Sequence, residues 1–210
     1  MRITVLSDTH NCHKNINLEP CDILIHCGDA TTYGTWEEAY DFFKWFDIQL
    51  AYYKIFVPGN HDRFMEGFGD FMVGSILILT NNIITVNGLK ICASSFFSRP
   101  KRILTEERSE HDSFRVLFTK TKERIKMENC DIRITHSPPY GILDKVNNSR
   151  RGCEIIQEIT QEYKASIHLF GHIHSGYGQF TTDTTTFYNA AMCDDNNQLV
   201  NPPTVIEWYL

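Results

Sequence analysis

Short runs of β-branched and aliphatic residues recur along the chain, each interrupted by a segment rich in Asp, Asn, His or Gly. Runs of this kind read as strands. They fall at 3–7, 22–27, 53–57, 75–80, 83–86, 89–95, 131–135, 165–170, 180–188 and 204–208. Between them the apolar spacing changes to that of helices. Thr35 predicts the N-cap of a helix over 36–50, with Glu38 completing a capping box. Ala39, Phe42, Phe43, Phe46 and Leu50 form its apolar stripe. Thr105 precedes a long charged helix to about Met127, marked by Phe114, Leu117 and Phe118, and a third helix is expected over 152–163.

Strand, helix, strand in the first half implies a parallel sheet. The stretch 75–95 differs. Three short strands are separated there by Asn81-Asn82 and Asn87-Gly88, and the second pair signals a type I′ hairpin. Mixed α/β sheets, with a two-sheet core covered by helices, accommodate both halves. No repeat, low-complexity tract or linker divides the 210 residues, so one domain over 1–210 is expected.

Composition narrows the partners. A net charge of −6 and a pI near 5.8 argue against extended nucleic acid, whose readers are usually basic. A short phosphorylated substrate is still allowed, because bound cations reverse the sign of a site locally. No apolar run approaches the roughly 18 residues that span a bilayer, and the N-terminus opens on a strand rather than a signal peptide. A cytoplasmic protein is the expectation, and a homo-oligomer is compatible with it. Seven scattered cysteines make no close pair and read as reduced thiols. Cys12 stands apart, since it lies beside Asp8 and His10.

Where the runs end, the chemistry begins. Asp8-Thr9-His10, Gly28-Asp29, Gly59-Asn60-His61-Asp62, Thr135-His136 and Gly171-His172-Ile173-His174 each follow a strand-like run. In an open α/β sheet such loops converge on one crevice. Carboxylates, imidazoles and an amide gathered there suit two divalent cations. Mixed O and N donors point to borderline transition metals, manganese first, with iron, zinc, cobalt, nickel or magnesium as alternatives. Asp8 with His10, and His172 with His174, converge through i, i+2 spacing. Asp29 can bridge two metals with its two oxygens, and Asn60 can offer an amide oxygen. His61 is then free to protonate a leaving oxygen, with Asp62 fixing its tautomer.

At these five places the chain resembles the calcineurin-like metallophosphoesterases, whose pattern is D-x-H, G-D, G-N-H-[DE], H and G-H-x-H. The resemblance implies a four-layer α-β-β-α sandwich. It further implies that Asp8, His10 and His174 hold one metal, that Asn60, His136 and His172 hold a second, and that Asp29 bridges. His61 would be the catalytic histidine outside the metal shell. The segments Thr135–Gly141, Gly171–Gly178 and Tyr188–Ala191 are similar to the metallophosphoesterase-domain-containing (brain-type 239) subfamily, related to class III cyclic-nucleotide phosphodiesterases. Ser137 departs from the glycine expected there.

The resemblance implies hydrolysis of small phosphodiesters, cyclic nucleotides among them, by in-line attack of a metal-activated water. The alternatives are a phosphomonoesterase or protein phosphatase, and a non-catalytic interaction module of the same fold. His13, His26, His111 and His168 read as structural. Asn11, Arg150 and Asn189 are candidate substrate contacts, weighed against local turn bonding or, for Arg150 with Arg151, a solvated loop. Phe96-Phe97 and Tyr140 could stack on a base or simply pack.

Overall fold

The structure is a computed structural model that describes residues 1–95 and 125–209. Strands β1 (Arg2–Leu6), β2 (Cys21–His26) and β3 (Ala51–Phe56) pair in parallel and in sequence. β4 (Phe71–Val73) and β5 (Ile76–Ile78) extend this sheet on one side, and β14 (Thr204–Glu207) closes it antiparallel on the other. The second six-stranded sheet runs β12-β13-β11-β8-β7-β6. It comprises β6 (Asn81–Val86), β7 (Leu89–Ser94), β8 (Cys130–Thr135), β11 (Ala165–Phe170), β12 (Gly178–Thr181) and β13 (Thr186–Asn189). Its interior is parallel and its two edge pairs are antiparallel.

Alternation along the strands decides how the sheets meet. Ile3, Val5, Ile23, Ile25 and Ile55 of the first sheet bury against Ile91, Ala93, Ile132, Ile134 and Leu169 of the second. The opposite face of the first sheet, through Leu6, Leu24, Phe56, Ile76 and Ile78, takes Phe42, Phe43 and Phe46 of helix α1 (Trp36–Asp47). Each buried Val, Leu, Ile or Phe among them contributes about 1.5–3 kcal/mol of transfer free energy. Thr35 caps α1 through both bonds of the capping box. Helix α2 (Glu154–Glu162) follows the two-residue strands β9 (Lys145–Val146) and β10 (Ser149–Arg150) and crosses from β8 to β11. Its end meets the outer face of the second sheet, where the buried Arg133 donates to the carbonyl of Tyr163.

The architecture agrees with the expected sandwich of two mixed sheets, with differences in detail. The run 75–80 is shorter as a strand, and Asn81-Asn82 is not a turn. Instead β5 ends in the first sheet and β6 begins in the second, so this segment is the crossing between layers. Asn87-Gly88 is the expected hairpin, with φ of 48° and 82°. The single strand expected over 180–188 is two, joined by a turn in which Thr182 and Thr185 bond each other. β4 carried no signal because three residues are too few for alternation. The helix expected from Thr105 lies outside the described residues except for 125–127, which are not helical. His111 and Phe96-Phe97 also lie outside them.

Candidate metal centre

Every strand-end cluster lands on one side of the two sheets. Backbone bonds zip the first two loops together: Asp8 N–H to Gly28 O at 2.9 Å, His10 to Asp29 O at 3.1 Å, and Asn11 to Ala30 O at 2.9 Å. Asp8 Oδ2 reaches across to the backbone N–H of His172 at 2.9 Å, tying the first sheet's loop to the second's. The approach is close enough to need glycine. A Cβ on Gly171 would collide with Asp8 Oδ2 and Ser7 Oγ, and one on Gly28 would sit 2.5 Å from the Gly59 nitrogen. Asp8, His10, Asp29 and His172 all have φ between 40° and 67°, the left-handed region that costs a branched or bulky side chain energy.

Two groups of donors result, Asp8–His10–His174 and Asp29–His136–His172, each with its donor atoms within 4.8 Å of one another. Asp8, His10, Asp29 and His136 are buried, and Asn60 Oδ1 lies 3.0 Å from His136 Nε2. Three rings share one device. Nδ1 of His10 meets the carbonyl of Thr31 (3.1 Å), that of His136 meets Cys27 O (2.8 Å), and that of His174 meets Asp194 O (2.9 Å). A carbonyl only accepts, so each Nδ1 carries hydrogen and each neutral ring presents a lone pair at Nε2.

Those lone pairs point at other acceptors. His10 Nε2 lies 3.3 Å from His174 Nε2, and His136 Nε2 lies 3.3 Å from Asp29 Oδ2. His174 Nε2 faces Asp8 Oδ1 at 3.4 Å, and that oxygen is buried with no hydrogen bond. Acceptor facing acceptor is repulsive unless positive charge lies between. Protons answer part of this. Burial opposes charge on His136, but the Asp29 carboxylate beside it raises it to about 9. Burial works to raise Asp8 too, yet the His174 ring and the charge on His136 hold its carboxyl well below the ordinary range. Burial and His136 push His172 the other way, to about 4. Convergent N and O lone pairs of this kind fit divalent cations.

Residues 1–176 match the calcineurin-like phosphoesterase family. The chain belongs to that family. It is 33% identical to human metallophosphoesterase domain-containing protein 1 over 98% of this chain and 70% of that protein. It is 27% identical to the UPF0046 protein K07C11.7 of Caenorhabditis elegans, over 98% of this chain and 74% of the relative. Among solved structures, TT1561 of Thermus thermophilus superimposes with a TM-score of 0.53 at 13% identity, covering 90% of this chain and 88% of that one. That likeness concerns the fold. The family is metal-dependent, in keeping with the two donor groups.

In this phosphoesterase the remaining site residues have partners that their spacing did not reveal. His61 stands 5.0 Å from His10, ring to ring, and its Nδ1 bonds the carbonyl of Thr32 at 2.7 Å. Thr32, not Asp62, therefore orients it. Asp62 is buried and accepts the backbone N–H groups of Asp29, Ala30, Thr31 and Gly59 and the Thr31 hydroxyl. It clamps the Gly28-Asp29 loop to the Gly59–Asp62 loop. Burial and the Asp29 charge raise its carboxyl to about 6.

The three expected substrate contacts are also engaged locally. Asn189 is fully buried, donates to Ile173 O and Leu143 O, and accepts from Ala191 N–H, which makes it a brace for the His172–His174 loop. Asn11 donates to Glu38 at 2.6 Å and Thr32 at 3.1 Å, joining its loop to the start of α1. Arg150 pairs with the buried Asp144 at 2.8 Å. Arg151 donates its backbone N–H to the carbonyl of Asp144, and Tyr140 stands half-exposed. The carbonyls of Thr31, Thr32, Cys27 and Asp194 had no signal in the sequence, because any residue supplies one.

Proposed function

We propose that this phosphoesterase is a two-metal phosphodiesterase acting on small phosphodiesters, cyclic nucleotides among them. The observation that carries the reading is the pair of donor groups whose Nε2 and carboxylate lone pairs face one another across one crevice. Asp8, His10 and His174 would hold one cation, Asn60, His136 and His172 a second, with Asp29 serving both. A bound pair of divalent ions supplies Lewis acidity toward a phosphoryl oxygen and lowers the pKa of water, manganese being the first candidate.

The chain's own residues do the rest. His61, beside His10 and held through Nδ1 by the carbonyl of Thr32, has Nε2 left to deliver a proton to the departing oxygen. Asp62 keeps the two loops in register, so that His61 and Asp29 keep one relative position; the His61 N–H bonds Asp29 Oδ1 at 2.7 Å. Positioning of this sort supplies most of the catalysis in phosphoryl transfer.

The test is hydrolysis of bis-p-nitrophenyl phosphate by protein loaded with Mn²⁺. Asp29→Ala should remove turnover and lower bound metal. His61→Ala should lower turnover by about 10²–10⁴-fold with metal content unchanged, as expected for a lost general acid. A folded, metal-loaded wild type that leaves the diester intact would refute the proposal. Faster turnover of p-nitrophenyl phosphate than of the diester would favour a monoesterase.

A further inference from the structure

Two thiols lie against the first donor group. Cys193 donates its backbone N–H to Asp8 O at 3.3 Å and its thiol to Thr9 O at 3.6 Å. Cys12 donates its backbone N–H to the same Thr9 carbonyl at 2.7 Å, and its thiol reaches Asn197 O at 3.4 Å. The two side chains are in contact, while each thiol hydrogen is given to a carbonyl. Cys12 is half-buried, so solvent reaches it, whereas Cys193 is fully buried behind it.

The position matters more than the contact. Cys12 is two residues beyond His10, in the loop where Asp8, His10 and Asn11 all have positive φ. Cys193 precedes Asp194, whose carbonyl holds Nδ1 of His174. The pair therefore joins the loop that carries Asp8 and His10 to the segment after β13, whose Asp194 carbonyl holds the ring of His174. Neighbouring thiols become a disulfide by closing to about 2.05 Å. Rotation of the half-exposed Cys12 side chain can supply part of that movement, and the neighbouring backbone must supply the rest.

We propose that Cys12 and Cys193 form a reversible disulfide that works as an oxidant-sensitive clasp on the first donor group. A hydroperoxide is the oxidant. Cys12 sulfur attacks the peroxide, the O–O bond breaks, and one water leaves as the sulfenic acid forms. The Cys193 thiol then attacks that sulfur, expelling a second water as the S–S bond closes. Two thiols and one hydrogen peroxide give one disulfide and two waters. A dithiol reductant reverses the reaction by exchange.

Closing the bond draws on the backbone beside His10 and Asp194, so the oxidised protein is expected to hold less metal in the first group. This second part rests on the two-metal reading, while the disulfide itself does not. The experiment treats the folded full chain with hydrogen peroxide and follows intact mass, the linked peptides and metal content. The expected result is loss of two hydrogens in a peptide pair containing Cys12 and Cys193, reversed by dithiothreitol and absent in Cys12→Ser and Cys193→Ser. Cys130→Ser should leave the linkage intact, as a control for the other contacting thiols, Cys92 and Cys130. Metal content should fall with oxidation and recover when reduced protein is resupplied with metal. No linkage in folded wild type, or a linkage between other cysteines, overturns the proposal. A disulfide that forms with unchanged metal content overturns the coupling to the donor group and leaves the proposed hydrolase activity untouched.

Discussion

His26 offers a test of how the fold responds to acid. His26 is on β2, between β1 and β3, and its fully buried ring packs against Phe42 of α1 at 4.9 Å and Phe56 at 5.6 Å, centroid to centroid. Gly28 donates its N–H to Nδ1 at 3.2 Å, and Nε2 contacts the Thr9 hydroxyl at 3.0 Å. Nδ1 is therefore an acceptor, and a proton placed there would face the Gly28 hydrogen. Burial lowers the ring to about 3 from its ordinary 6.5, more than the carboxylates of Asp8 and Asp29 raise it. Above 6.5 neither the folded nor the unfolded chain binds this proton, and His26 is silent. As pH falls below 6.5 the unfolded chain takes it up and the folded chain does not, so stability drops by about 1.4 kcal/mol per pH unit. The drop ends near the folded value of about 3. Between about pH 7 and about pH 5 the loss amounts to about 2 kcal/mol. Urea unfolding of metal-loaded wild type and His26→Gln at both pH values isolates it. The variant lacks the titrating ring, so the stability difference between the two proteins should move by that amount in its favour. Parallel pH dependences for the two proteins would refute the argument. His168, also fully buried and pushed well below its ordinary range by burial and the Arg133 charge, contributes with the same sign and stays in both proteins.

Gly171→Ala should lower bound metal and destabilise by about 1–3 kcal/mol, the usual cost of overpacking, because its Cβ displaces Asp8 Oδ2; metal analysis and thermal melting read both. Thr35→Ala removes the capping box of α1 and should cost about 1 kcal/mol in urea unfolding, with turnover unchanged.

Features that depend on near neighbours were legible along the chain. Alternating apolar residues set the strands, Thr35 with Glu38 set the start of α1, and Asn87-Gly88 set the hairpin. The same locality made the five clusters legible, since a short run followed by Asp, His or Asn places that side chain at a strand end. The grouping of Asp8 and His10 with His174, and of Asp29 with His136 and His172, was implied by the family resemblance and not by spacing, and the structure brings each set together.

Folding set the partners that are distant in sequence or carry no side-chain signature. Asn81-Asn82 has the composition of a turn, yet it lies where the chain changes sheets, because Ile76 and Ile78 bury in one layer and Leu89 and Ile91 in the other. Asp62 adjoins His61 but serves four backbone N–H groups, three of them about thirty residues away. Asn189 has the chemistry of a substrate contact, yet its amide is bonded to the carbonyls of Leu143 and Ile173. The histidines owe their orientation to carbonyls that every residue possesses. A backbone acceptor acquires meaning only when folding brings a ring to it, which is why the sequence shows the donors and the tertiary structure shows how they are aimed.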